Sequence, residues 1–205
     1  MEREFPATSS SPTALFFLFA ACLLLSLPGP HVVADGHLRL LAPSKPDPSD
    51  AAATARWLVA QNSWGVVRHA VSFSDGLPGE GYGIPYFYLT TLDPTAVDAL
   101  ADERASFTVT DIPLGSCGET DPQSPTCAKL TLTGKLKLVD GNSTEGKFAL
   151  AALFAKHAQM KDWPKKHKFQ IFKLDIRHVF LIDWFGGAKT PTVEQYLNPA
   201  VNKLS

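Results

Sequence analysis

Leu130-Thr131-Leu132-Thr133-Gly134-Lys135-Leu136-Lys137-Leu138 alternates leucine with threonine and lysine. A β-strand sends successive side chains to opposite faces. The stretch therefore predicts one face of Leu130, Leu132, Leu136 and Leu138 in a core, and one face of Thr131, Thr133, Lys135 and Lys137 in water. Gly134 falls mid-strand on the buried side, which predicts a bend or bulge of the kind a barrel needs at its corners. One dry face and one wet face mark an antiparallel sheet.

The flanking sequence supplies partners for that strand. Strands are expected at 71–74, 85–89 (Pro85-Tyr86-Phe87-Tyr88-Leu89), 105–110, 169–174 and 178–184, the last ended by Gly186-Gly187. Helices are expected between them. Asp50 caps an alanine-rich helix ending at Asn62-Ser63, with Trp57 packed down onto the sheet. Asp93-Pro94 starts a short helix to about residue 101. Residues 144–157 read as an amphipathic helix with Phe148, Ala151, Ala152 and Ala155 along its apolar side, and 192–197 as a short terminal one. Residues 160–167 form an irregular connection around Trp163-Pro164. The expected fold class is mainly β (α+β), a closed barrel with helices packed outside it.

The chain has 205 residues, 45% hydrophobic and 19% charged, with a formal net charge of -1. That length suits one domain with a sizeable core. The hydrophobic content argues against disorder. Near-neutral charge gives no electrostatic reason to expect a nucleic-acid partner.

Residues 14–27 (ALFFLFAACLLLSL) form an uncharged apolar run after Arg3, followed by Pro28-Gly29-Pro30 and the small residues Val33-Ala34. Residues 1–34 therefore read as a secretory signal peptide, too short in its apolar part to span a bilayer. Residues 35–49, with Pro43, Pro46 and Pro48, read as a flexible linker, 50–198 as the folded domain and 199–205 as a tail. No later segment reads as a membrane span. Cys117 and Cys127 flank a polar, turn-rich loop and can pair in an oxidising lumen, the alternative being two unpaired thiols. Asn142-Ser143-Thr144 is an N-glycosylation acceptor placed after a turn, so Asn142 should be exposed.

Several separate stretches resemble the CREG family of secreted cellular-repressor glycoproteins. They are Val71-Ser72-Phe73-Ser74-Asp75-Gly76 with Ile84-Pro85-Tyr86-Phe87-Tyr88-Leu89, Asp121-Pro122-Gln123-Ser124-Pro125-Thr126-Cys127, Met160-Lys161-Asp162-Trp163-Pro164, and Asp183-Trp184-Phe185-Gly186-Gly187 with Tyr196. Ala60-Gln61-Asn62-Ser63-Trp64-Gly65 resembles plant members in particular. The resemblance implies the FMN-binding split-barrel fold shared with pyridoxamine-phosphate oxidase, a homodimer, and a glycosylated secreted or endolysosomal-vacuolar setting. It also implies little or no flavin binding, and carries the family's loop disulfide onto Cys117 and Cys127. One departure stands out. Trp64-Gly65 runs almost directly into Val66-Val67-Arg68-His69-Ala70-Val71, where family members place a strand and hairpin. This shortened first hairpin predicts a barrel lacking one strand, with an open edge that invites pairing with another chain.

A flavin phosphate needs cations or hydroxyl donors. If FMN binds at all, Arg68, Thr90 and Thr91 are the residues to take its phosphate, and weakly, because Asp93 and Asp98 would repel it. No catalytic residue and no metal site are expected. His157, His167 and His178 fit no local metal spacing, and Gly79, Gly81 and Gly83 lack the helix a phosphate-cradling loop needs. Lys161, Lys165, Lys166 and Lys168 cluster around Trp163, either as a solvated face or as a contact for an acidic partner or glycan. The expectation is a non-catalytic binder of protein or glycan. The alternatives are an FMN-dependent oxidoreductase of the pyridoxamine-phosphate-oxidase-like class, or haem handling.

Overall fold

The structure is a computed structural model and describes residues 44–199. The signal-peptide reading of 1–34, the linker as far as residue 43 and the tail from residue 200 lie outside the described residues.

Six strands form an antiparallel barrel: β1 (Trp64–Val66), β2 (Ala70–Ser74), β3 (Tyr86–Leu89), β4 (Arg104–Thr110), β5 (Lys129–Val139) and β6 (Gln170–Ile182). They close in the order β1-β2-β3-β6-β5-β4. Among the described residues four α-helices flank them: α1 (Ala51–Gln61), α2 (Pro94–Ala101), α3 (Thr144–Lys156) and α4 (Val193–Leu197). Each begins at a side-chain cap. Asp50 accepts from the Ala53 N–H, Asp93 from Thr95, Ser143 from Gly146, and Thr192 pairs reciprocally with Gln195.

The alternating strand is β5, and it holds the barrel together. It pairs with all of β4 and with β6 along its whole length. Leu130, Leu132 and Leu136 are buried, as the alternation requires. The register slips between Thr133 and Gly134, so Arg177 on β6 bulges out. A Cβ at Gly134 would lie 2.0 Å from the Asp175 carbonyl oxygen, so only glycine fits this crossing. Inside the barrel Phe73, Phe87 and Phe107 meet edge-on, with Phe107 4.8 Å from Phe73 and 5.2 Å from Phe87. Burying each such ring contributes about 1.5–3 kcal/mol. Trp57 packs half-buried against this core.

Four expectations are corrected. Leu138 is exposed and its neighbour Val139 is buried. Here α3 covers the outer sheet face, and Val139 joins Tyr86, Ala149, Leu153, Met160 and Ile171 in a second apolar cluster. The stretch read as two strands over 169–184 is one continuous β6, because the bulge absorbs the break in alternation. The buried residues of α3 are Gly146, Ala149, Ala152 and Leu153; of the expected apolar side, Ala152 is buried and Phe148 packs half-buried against the second cluster, while Ala151 and Ala155 are exposed. Gly146 sets that rotation: its missing Cβ would lie 2.1 Å from the Asp140 carbonyl oxygen.

The fourth correction concerns the shortened hairpin. The barrel is closed. Trp64–Val66 serves as a three-residue β1, with Gly65 opposite Val71 on β2 and Val66 opposite Thr108 on β4. Gly65 lets the strands meet, since a Cβ there would sit 2.4 Å from the Phe107 ring and 2.7 Å from the Thr108 carbonyl oxygen. The chain then turns back over 67–69, where the Val67 N–H donates to the His69 carbonyl at 3.2 Å.

Candidate functional site: a cleft beside the barrel

The turn at 67–69 makes one wall of a cleft of 440 Å³. His69, Val71 and Ser72 line that side, Tyr88, Leu89 and Thr90 at the end of β3 form the floor, and Met160, Trp163, Pro164 and Phe169 face them. Tyr88 stacks on Phe169 with ring centroids 4.9 Å apart and on Trp163 at 6.2 Å, so the far wall is largely aromatic. Burial raises the Tyr88 hydroxyl pKa above its ordinary value.

The polar side of the cleft is organised by Asp93 at the start of α2. Its Oδ1 accepts from the Thr95 N–H at 2.7 Å and lies 2.9 Å from His69 Nε2. His69 Nδ1 lies 2.9 Å from the Ala70 carbonyl oxygen. Both ring nitrogens therefore face acceptors, which favours the doubly protonated ring. The Asp93 hydrogen bond and then the Ala70 carbonyl raise the His69 pKa. Partial burial works against ionised Asp93, but the bonds from His69 and Thr95 outweigh it and hold its pKa below the usual carboxylate value.

The three residues expected to face a flavin phosphate have other employment or no cation beside them. Arg68 Nη1 lies 2.5 Å from Asp98 Oδ2, an exposed ion pair on the outer side of the turn. Thr90 donates its hydroxyl to the His167 carbonyl at 2.5 Å, which pins the loop carrying Trp163 to the end of β3. Thr91 is exposed. The cleft brings Thr90 near His69, but neither Arg68 nor Thr91 lines it. A flavin phosphate would meet Asp93 and Asp98 with their cations already paired, so these residues do not fit that group.

Reading the sequence missed His69 because its role depends on Asp93, 24 residues away. His157 Nε2 lies 2.8 Å from the Phe73 carbonyl oxygen. The glycine-rich loop over 75–83 is held from inside. Buried Asp75 accepts from the Gly83 N–H, Arg56 donates to the Gly81 and Tyr82 carbonyls, and Tyr196 donates to the Gly83 carbonyl at 2.6 Å. Gly81 and Gly83 are needed because Asp75 and Arg56 occupy the space a Cβ would take.

Cys117 and Cys127 form a disulfide with Cα atoms 5.1 Å apart. Buried Asp111 lies against both sulfurs and is paired with Lys45 at 2.6 Å. The sulfurs are bonded to each other, so this trio is not a cation-binding set. Asn142 is exposed in the turn before α3, as its sequence context predicts.

The CREG, beta-barrel family matches residues 46–198 of this chain. The chain belongs to the CREG family. It is 35% identical to human Protein CREG1 over 175 residues, covering 78% of this chain and 79% of that protein. It is 34% identical to Protein CREG1 of Gallus gallus, covering 75% and 88%. Among solved structures, a heme binding protein from Mycobacterium smegmatis superposes with a TM-score of 0.59 at 19% identity, covering 76% of this chain and 62% of that one. The protein Atu2129, of unknown function, from Agrobacterium tumefaciens gives 0.55 at 20% identity, covering 75% and 63%. The CREG chain thus spans under two thirds of either solved neighbour. At these identities the likeness is one of fold, a split barrel with flanking helices, and no more. No helix among the described residues is long and apolar enough to cross a membrane.

Proposed function

We propose that this CREG chain is a secreted or endolysosomal-vacuolar glycoprotein that acts by binding protein or glycan, without catalysis, as a homodimer. The observation that carries the reading is the internal neutralisation of the cleft. His69 in its lining already faces Asp93, Arg68 on the outer side of the same turn already faces Asp98, and the Thr90 hydroxyl is spent on the His167 carbonyl. A flavin phosphate placed at the start of α2 would have to break these contacts, because the residues lining that side of the cleft offer no free cation. Asn142 is exposed where a glycan would sit, and the Cys117–Cys127 disulfide suits an oxidising lumen. The homodimer draws support from large apolar side chains exposed on the barrel, Trp64 and Val66 on β1 and Phe180 on β6.

The test is titration of the purified mature chain with FMN, followed by calorimetry and visible absorbance. No binding heat and no flavin band are expected. Saturable FMN binding that is lost in Arg68→Ala would overturn the reading in favour of an FMN-dependent oxidoreductase of the pyridoxamine-phosphate-oxidase-like class. The M. smegmatis neighbour is named for heme, so added haem is the parallel control, and a Soret band in the CREG chain would favour haem handling.

A further inference from the structure

We infer that the cleft and the lysine-bearing loop at its rim form a binding site for an acidic oligosaccharide, with one sugar ring against Trp163 and the acid groups on Lys165, Lys166 and Lys168. This deepens the glycan branch of the proposed function and rests on it.

The loop lines the cleft with Trp163 and Pro164 as it enters and Phe169 as it leaves. The residues between, Lys165–His167 in a single 3-10 turn and Lys168 after it, are therefore its rim. Lys161, Lys165, Lys166 and Lys168 are all exposed, and the loop's one acid over 158–169 is Asp162. Among the described residues none of these four lysines lies within ion-pair distance of a carboxylate. Most described lysines elsewhere are matched by an acid; Lys129 donates instead to the Ser124 and Cys127 carbonyls, and Lys147 is exposed on α3 without an ion pair. Lys45, Lys135, Lys137, Lys156, Lys173 and Lys189 each face an acid. The rim is thus a local positive excess on a chain whose net charge is -1.

The lining selects among polyanions. Trp163 is 36% exposed beside the Tyr88–Phe169 stack. Aromatic faces carry negative charge and attract the slightly positive C–H groups of a sugar ring. Across the cleft, Asp93 Oδ1 receives both His69 and Thr95, which leaves Oδ2 to accept from a ligand hydroxyl, and Ser72 also lines the cleft. An acidic peptide has no flat ring with C–H faces and hydroxyl edges to use this wall. An anionic bilayer would need the aromatic side chains to protrude, whereas these face into a concavity. Thr90 fixes the arrangement by holding the loop through the His167 carbonyl.

The test uses the full mature chain with a tetramer of a uronic acid, its methyl ester as the uncharged control, a poly-glutamate peptide, and phosphatidylcholine vesicles containing phosphatidylserine. Binding is read by Trp fluorescence and calorimetry. The uronate tetramer should bind saturably, weaken as salt is raised, and weaken about tenfold in K165Q/K166Q, from the loss of two exposed ion pairs. Trp163→Ala should also weaken it while circular dichroism stays that of the parent. Equal binding of the methyl ester, equal or tighter binding of the peptide or vesicles, or no uronate binding would each overturn this site. If those results come with no FMN binding, the non-catalytic reading stands without this glycan. If FMN binds in the cleft and displaces the tetramer, the parent reading fails instead.

Discussion

Replacing Gly65 with alanine tests how this barrel closes. The added Cβ would lie 2.4 and 2.6 Å from two carbons of the Phe107 ring and 2.7 Å from the Thr108 carbonyl oxygen. Ordinary carbon contacts are about 3.5–4.0 Å, so β1 and β4 would have to part by roughly 1 Å. The ring cannot simply retreat, because Phe107 is fully buried against Phe73 and Phe87. The seam itself is thin, with Val66 opposite Thr108 as its one register pair. Overpacking of this kind costs about 1–3 kcal/mol. Urea unfolding followed by intrinsic fluorescence should show that loss, and amide exchange should rise at Phe107 and Thr108 before it rises in β5. Phe107→Leu in the same chain should recover part of the Gly65→Ala loss, the coupling expected of touching residues. Parent-like stability in Gly65→Ala, within about 0.5 kcal/mol, would refute the closed seam and restore the open edge that the short hairpin suggests.

Three further outcomes follow from single contacts. Cys117→Ser/Cys127→Ser should lower stability by about 3 kcal/mol in a thermal or urea melt, because the bridge closes a loop of sequence separation 10. Tyr196→Phe removes a buried donor to the Gly83 carbonyl and should cost about 1–3 kcal/mol, with the loop over 75–83 becoming the first site of limited proteolysis. His69 should titrate by NMR above its ordinary 6.5, and Asp93→Asn should bring it back down. Because folding raises this pKa, the His69 contribution is full below 6.5 and fades as pH rises through the folded value, so a melt that gains stability over that rise would contradict the pairing.

The strands were legible wherever sequence pattern and burial obey the same period. In β5 the leucines mark the core until α3 covers the other sheet face, and there Leu138 and Val139 exchange roles. Periodicity within a strand carries no information about a helix that packs later. The starts of α1 and α2 were legible because Asp50 and Asp93 cap through contacts two or three residues away. The rotation of α3 was not, since it depends on Gly146 meeting the Asp140 turn and small side chains facing the sheet. At the cleft, Thr90 was found as a polar residue at the right strand end, but its partner is a carbonyl 77 residues on. His69 escaped notice for the same reason.

The short hairpin and the quiet cleft have one physical origin. A tight turn over 67–69 allows three residues of β1 to close the barrel, and the same turn carries Arg68 and His69 onto the first turns of α2. There Asp98 and Asp93 receive them. The start of a helix ordinarily favours an anion, through its unpaired N–H groups and dipole. In this chain Asp93 fills that role itself by capping Thr95, and His69 balances Asp93. An incoming phosphate would find the helix start occupied and both cations engaged. A cluster of unmatched positive charge lies instead at the far rim, on Lys165, Lys166 and Lys168. Lengthening the turn by inserted residues between Val67 and Arg68 should therefore free Asp93 and Asp98 together, raise local negative potential, and weaken binding of any anion at the cleft. An insertion that instead strengthened anion binding would mean the turn's own cations, and not the rim lysines, govern what the cleft accepts.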